Sequence, residues 1–271
     1  MTIQFDRRNG QETISSSNPA DIWSNWQHEK ESWLFIAPHD DDIVCGAGLT
    51  FLAALQHKIN VFAAVISNGR MGYCTHEQRQ TITQVRREET QTSFAYLGLP
   101  QENLYLFDYD DGALSQNMGR RFATDPADTN AIAGGTGLQN TLTWLLRKIK
   151  PTRIFIPNRL DLHPDHKAVH HETVISVFHA QGEIWPELGA VIDTLPFLYE
   201  YATYSDFIKL PNLRVCVPDA LAEQRLQALA LYKSQLQIGL VVETLRKVGG
   251  KEYLLEMAFE IFKPEKYDTL F

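Results

Sequence analysis

The chain is poor in cysteine. Cys45, Cys74 and Cys216 are the only three in 271 residues. An odd number without a CxxC pair argues against a disulfide framework and makes a reducing, cytoplasmic compartment the expectation. No stretch approaches the roughly 18 apolar residues of a membrane span. The opening segment, MTIQFDRRNGQETISSSNPADIW, has no apolar h-region, so no secretory leader is expected. There is no surplus of positive charge either: 25 Lys and Arg face 33 Asp and Glu, for a formal net charge of −8. Phosphate backbones need a basic face, so a general nucleic-acid binder is not expected, although a local basic patch stays open. Repeats and low-complexity tracts are absent. Gly46 and Gly48 do not complete G-x-G-x-x-G, so a dinucleotide fingerprint is not supported.

What is present is an ordinary globular composition, 44% hydrophobic and 21% charged, enough for a sizeable core. Short apolar runs that read as buried strands lie at 32–37 (SWLFIA), 59–67, 103–108 and 153–157. Helical patterns lie between and after them, at 43–57, 77–99, 138–150 and 164–180, with Gly98, Pro100 and Pro151 as stop signals and Pro164 as a start signal. Such alternation predicts an α/β fold, Rossmann-like, with a mostly parallel sheet and helices on both faces. Beyond residue 180 the pattern predicts a C-terminal extension: strands at 197–202 and 213–218, a helix at 219–236, and a tail whose type stays open. Residues 1–30 read as a polar, irregular arm with a short helix near 21–26. The Gly/Asp/Thr-rich segment 119–137 reads as a long loop, either a lid or a surface insertion.

In a parallel sheet, ligands bind beyond the carboxyl ends of the strands. The two segments densest in His and Asp follow two different strands at that edge: PHDDD (38–42) after the first, and NRLDLHPDH (158–166) after the fourth. An imidazole and a carboxylate from one turn, with one more ligand from elsewhere, make a three-ligand metal site that keeps a position open for water. A cation would also relieve the repulsion among Asp40, Asp41 and Asp42. Each segment has a plainer reading. Asp41 or Asp42 could cap the following helix, and Asp165 could serve a helix dipole. His170 and His171 extend the second cluster but read as stray helix histidines.

These segments, in this order, resemble the PIG-L/LmbE-like zinc-dependent N-deacetylases. APHDDD and HPDH carry the likeness. SNGRMGY (67–73), VRREETQTSFAYLGL (85–99), DYDDGAL (108–114) and YKSQL (232–236) support it. The resemblance implies one such α/β deacetylase domain over 31–271 and one Zn²⁺ per chain, with other divalent ions possible. His39, Asp42 and His166 would be the metal ligands. Asp41 would be the general base for the metal-bound water. His163 would stabilise the oxyanion or protonate the leaving amine, and Asp165 would orient or tune His163. Arg70, Tyr73 and Asp111 are candidate substrate contacts, and Arg86 a support for the loop above it. The implied activity is hydrolysis of a linear amide: removal of an N-acyl group, expected to be acetyl, from an amino sugar such as N-acetylglucosamine or from a glycoconjugate. The expected partner is that small substrate, with homo-oligomerisation open. Departures in two segments leave alternatives standing. Asp40 replaces the usual Pro, so another pair of the three aspartates could serve as base and ligand. Ile43 replaces the usual Glu, and Arg70 stands where Glu is frequent. A noncatalytic carbohydrate-binding module with a degenerate site and a metal-dependent phosphoesterase are the competing readings.

Overall fold

The computed structural model describes residues 2–270. In chain order its elements are strands β1 (Gln4–Asn9), β2 (Glu12–Ser16) and β3 (Ser32–Ala37); helices α1 (Asp42–Gly46) and α2 (Gly48–Gln56); β4 (Asn60–Ser67); α3 (Ile82–Leu97); β5 (Leu104–Tyr109); the short β6 (Arg121–Phe122) and β7 (Gly135–Thr136); α4 (Leu138–Ile149); β8 (Arg153–Pro157); α5 (Pro164–Gln181); β9 (Phe197–Tyr201); β10 (Leu213–Cys216); α6 (Asp219–Leu229); α7 (Ile238–Val248); and β11 (Lys251–Met257). One nine-stranded sheet runs in the order β2-β1-β10-β11-β9-β8-β3-β4-β5. The five strands from β9 to β5 are parallel, and the remaining four join antiparallel.

The expected mostly parallel sheet with helices on both faces is present. In β3 the side chains alternate between two cores. Trp33, Phe35 and Ala37 join the layer under α2, α3 and α6. Leu34 and Ile36 join the layer under α4 and α5. The parallel part therefore reads as a continuous apolar run, because both faces are covered. No helix among the described residues is long and apolar enough to cross a membrane.

Three expectations are corrected. The N-terminal segment is not an irregular arm: β1 pairs with β10 and β2 with β1, and Phe5, Ile22 and Trp23 are buried. Its polar sequence reflects an antiparallel edge with one wet face, which needs few apolar residues. The helix expected at 43–57 breaks at Ala47, whose φ of −136° is not helical. The helix expected at 219–236 stops at Leu229, and residues 230–237 form turns before α7. The segment 119–137 forms the small β6–β7 ribbon, held down where Gly119 N–H donates to Glu172 on α5 (2.6 Å) and Asn140 on α4 donates to the Ile132 and Gly135 carbonyls (3.0 and 2.9 Å).

Strand order reverses next to β3: β4 and β5 lie on one side and β8 on the other. That switch point opens a crevice beyond the carboxyl ends of β3 and β8. It is where residues 38–42 and 158–166 leave the sheet.

Candidate metal centre

Asp41 occupies the position before α1, yet its side chain makes no capping bond to the helix. Capping therefore does not account for the aspartates. Each of the three goes elsewhere. The Asp40 carboxylate pairs with buried Arg86 of α3 at 3.0 Å. Asp41 Oδ2 accepts from the Gln235 amide at 2.8 Å. Asp42 Oδ2 accepts from His39 N–H at 2.9 Å and lies 3.2 Å from both His39 Nδ1 and His166 Nε2. Those two ring nitrogens are 3.3 Å apart.

Asp42 Oδ2, His39 Nδ1 and His166 Nε2 thus form a nearly equilateral triangle. A tetrahedral ion bound at about 2.0–2.2 Å holds its ligand atoms about 3.3–3.6 Å apart, and the triangle lies at the short end of that spacing. The donor set, two imidazoles and a carboxylate, suits zinc and other borderline divalent ions. The far nitrogens face carboxylates: His166 Nδ1 is 3.2 Å from Asp161, and His39 Nε2 is 3.1 Å from Asp111 and 3.4 Å from Asp165. These are close approaches without aligned hydrogen bonds, and Asp42 Oδ1 is also buried without a partner. A carboxylate behind each ligating histidine is the usual way to fix the ring and raise its basicity. The residues present fit a metal. Two other groupings, His39 with His163 and His166 and His39 with Asp111 and Asp165, also come within ligating distance, but both leave out Asp42, the residue at the centre of the contacts.

Without a cation the electrostatics are strongly perturbed. Burial pushes the Asp42 carboxyl up, but His166 and His39 outweigh it and hold it well below the usual range. Burial also opposes charge on His166, yet Asp42 and Asp161 raise it to about 9. His39 is raised well above its ordinary value because Asp111, Asp165 and Asp42 overcome its burial. Burial and the Asp41 charge lift Asp40 to about 7. Burial and the Asp42 charge lift Asp41 in the same direction. His163 is lowered, by burial first and then by the His39 charge.

A cleft of about 220 Å³ opens beside the triangle. His39, Asp41, His163 and Asp111 line it, together with Met71, Gly72, Tyr204 and Gln235. Gly69 turns the loop after β4 at φ +65°, and a Cβ there would press on Arg86 Cγ at 3.3 Å. Arg86 also donates to the Gly72 carbonyl at 3.0 Å, so it does support the loop above it. The ribbon at 119–137 contributes no residue to the cleft.

Some expected site residues are placed differently. The Asp165 carboxylate does not touch His163: it accepts from Gly112 N–H (2.8 Å) and Leu114 N–H (3.1 Å), while the Asp165 backbone N–H donates to His163 Nδ1 (3.2 Å). Its influence on His163 is Coulombic only. Arg70 points outward, more than half exposed, and pairs with Asp110 at 2.9 Å. Neither Arg70 nor Tyr73 lines the cleft, whereas Asp111 does, while also facing His39. Sequence reasoning missed Asp161, Tyr204 and Gln235. Asp161 stood inside the DLHPDH segment already singled out. Tyr204 carried no signal, and Gln235 only the YKSQL signature.

The sequence model described as PIG-L, GlcNAc-PI de-N-acetylase, matches residues 34–177. The chain belongs to the PIG-L family. The matched span runs from β3 through most of α5 and includes all three atoms of the triangle. A search of curated proteins returns no match for this PIG-L chain. Solved structures share its fold. A conserved protein from Thermus thermophilus superposes with a TM-score of 0.65 at 23% identity, covering 86% of this chain and 97% of the other. The N,N'-diacetylchitobiose deacetylase of Pyrococcus horikoshii, solved with an inhibitor, gives 0.66 at 23% identity, covering 89% of each. The 4-carboxy-2-hydroxymuconate hydratase of Pseudomonas putida gives 0.59 at 17% identity, covering 86% and 98%. The last shows that this PIG-L-like architecture also occurs in an enzyme named for a different reaction, so the site has to carry the functional argument.

Proposed function

We infer that the chain is a metal-dependent N-deacetylase that hydrolyses an N-acyl group, with acetyl expected, from an amino sugar or glycoconjugate. The observation that carries this reading is the triangle of His39, Asp42 and His166 donors beside a cleft that the Asp41 carboxylate and the His163 imidazole also line. Membership of a family described as a de-N-acetylase supports the reaction class. His39, Asp42 and His166 would hold one zinc ion per chain, which supplies Lewis acidity and acidifies a water it binds.

The chain's own groups carry the protons. Asp41 accepts one from the attacking water and returns it to the departing nitrogen as the C–N bond breaks, which frees the amine. His163 takes the Asp165 N–H on Nδ1, which leaves Nε2 as the protonated nitrogen of the neutral ring. Its lowered pKa keeps the ring neutral at pH 7, so Nε2–H donates to the oxyanion that develops on the amide carbonyl. Asp111 and Asp161 hold the two ligating rings from behind.

The test is release of acetate and of free amine from N-acetylglucosamine, N,N'-diacetylchitobiose and N-acetylglucosaminides by zinc-loaded protein. Turnover should vanish with EDTA, return with Zn²⁺, and be lost in Asp41→Asn with the metal retained. No release from any of these, or turnover indifferent to EDTA, would overturn the reading. Sugar binding without turnover would favour the binding module. Hydrolysis of p-nitrophenyl phosphate with two ions per chain would favour the phosphoesterase.

A further inference from the structure

The contact between Gln235 and Asp41 spans 194 positions of sequence and is held from several sides. Residues 230–237, between α6 and α7, cross the rim of the cleft. Buried Tyr232 donates its hydroxyl to the Asp40 carbonyl at 2.6 Å. Ser234 donates both its backbone N–H and its hydroxyl to the Glu89 carboxylate of α3, at 2.8 and 2.7 Å. The Gln78 amide donates to the Ser234 carbonyl at 3.3 Å. Gln235, flanked by these anchors and 7% exposed, has little freedom to choose another partner, and its amide meets Asp41 Oδ2 at 2.8 Å. A carboxylate bonded through one oxygen by an anchored amide keeps a single orientation and leaves its second oxygen for another task.

We propose that Gln235 is a positioning residue, held by Tyr232, Ser234 and Glu89, which fixes the Asp41 carboxylate in the cleft so that it can receive a proton from the attacking water. This rests on Asp41 being the base, as argued above. It also gives the C-terminal extension, outside the matched span of 34–177, a specific part in the chemistry.

The experiment is a double-mutant cycle in the full-length, zinc-loaded chain: wild type, Gln235→Met, Asp41→Ala and the double variant. Methionine keeps the length and removes the donor. With N,N'-diacetylchitobiose as probe, Gln235→Met is expected to lower kcat by about 10- to 100-fold, the range for a hydrogen bond to a charged group, with zinc content and KM unchanged. In the Asp41→Ala background the same substitution should not lower the residual rate further. A purely structural role would lower it in both backgrounds. Urea unfolding at fixed free zinc supplies a readout independent of turnover. There Gln235→Met should shift the unfolding constant by about 10- to 100-fold less once Asp41 is Ala. Additive effects in unfolding would overturn the proposal even if no tested sugar is a substrate, an outcome that counts against the proposed function instead. An unchanged kcat, or an equal loss in both backgrounds, would overturn it as well.

Discussion

If protons hold the site when the cation is removed, metal affinity must depend steeply on pH. The perturbation is to strip the protein with a chelator and titrate Zn²⁺ back at pH 7 and pH 8. In the metal-free state His166 is raised to about 9 by Asp42 and Asp161, and His39 is raised well above its ordinary value by Asp111, Asp165 and Asp42. His166 is therefore protonated across this interval, and both rings must be neutral to ligate. His166 and Asp42 are buried at 0% and 1% exposure, so solvent does little to weaken their mutual attraction. Each ion bound should release at least about one proton, and the apparent affinity should rise at least about 10-fold from pH 7 to pH 8, about 1.4 kcal/mol. Two ordinary histidines would give less than about twofold over the same interval. Isothermal titration calorimetry in two buffers of different ionisation enthalpy counts the protons directly. Release of fewer than about half a proton per ion, with an affinity flat within twofold, would refute the reasoning.

The same sign governs the metal-free fold. A histidine raised from 6.5 to about 9 contributes stability that is fully present below pH 6.5 and lost as pH rises through 9, about 3 kcal/mol for His166. Asp40, raised from 3.8 to about 7, acts in the same direction at lower pH. Urea unfolding of stripped protein should therefore show stability declining from pH 6.5 to 9, and a rise would contradict the assignment. His166→Ala should lose the metal by elemental analysis, whereas Asp161→Asn should retain it with affinity about 10- to 100-fold weaker. Arg70→Ala should change kcat/KM by less than about fivefold, because its contact is an exposed ion pair outside the cleft. Away from the site, Arg153 is buried with Glu31 at 2.9 Å, and Glu31→Ala should destabilise the chain by about 3–5 kcal/mol in denaturant titration, since it strands a buried charge.

The sequence by itself determined the local parts of this protein. The parallel strands were legible because both of their faces are buried, which writes a continuous apolar run such as SWLFIA. The proposed metal donors were legible because His39 and Asp42 belong to one turn and HPDH opens one helix, so short-range spacing carries their geometry. The place of both segments at one sheet edge followed from strand–helix alternation, since parallel strands share a carboxyl edge.

Tertiary structure alone decided the rest. Strands β1 and β2 have a wet edge face, so no apolar pattern announced them. The duties of the three consecutive aspartates depend on Arg86, Gln235 and His166, each far along the chain: Arg86 is 46 positions from Asp40, and Gln235 is 194 from Asp41. Nothing local could divide them. Asp165 lies two residues from His163, yet its carboxylate turns to Gly112 and Leu114 N–H groups because the DYDDGAL loop supplies unpaired donors there. Arg70 looked like a cleft residue by position, but Gly69 turns the chain at positive φ and Arg70 leaves for solvent. Which carboxylate faces the two histidines, which faces an arginine and which faces an amide is set by long-range packing around the switch point, where residues distant in sequence meet only once the sheet has closed.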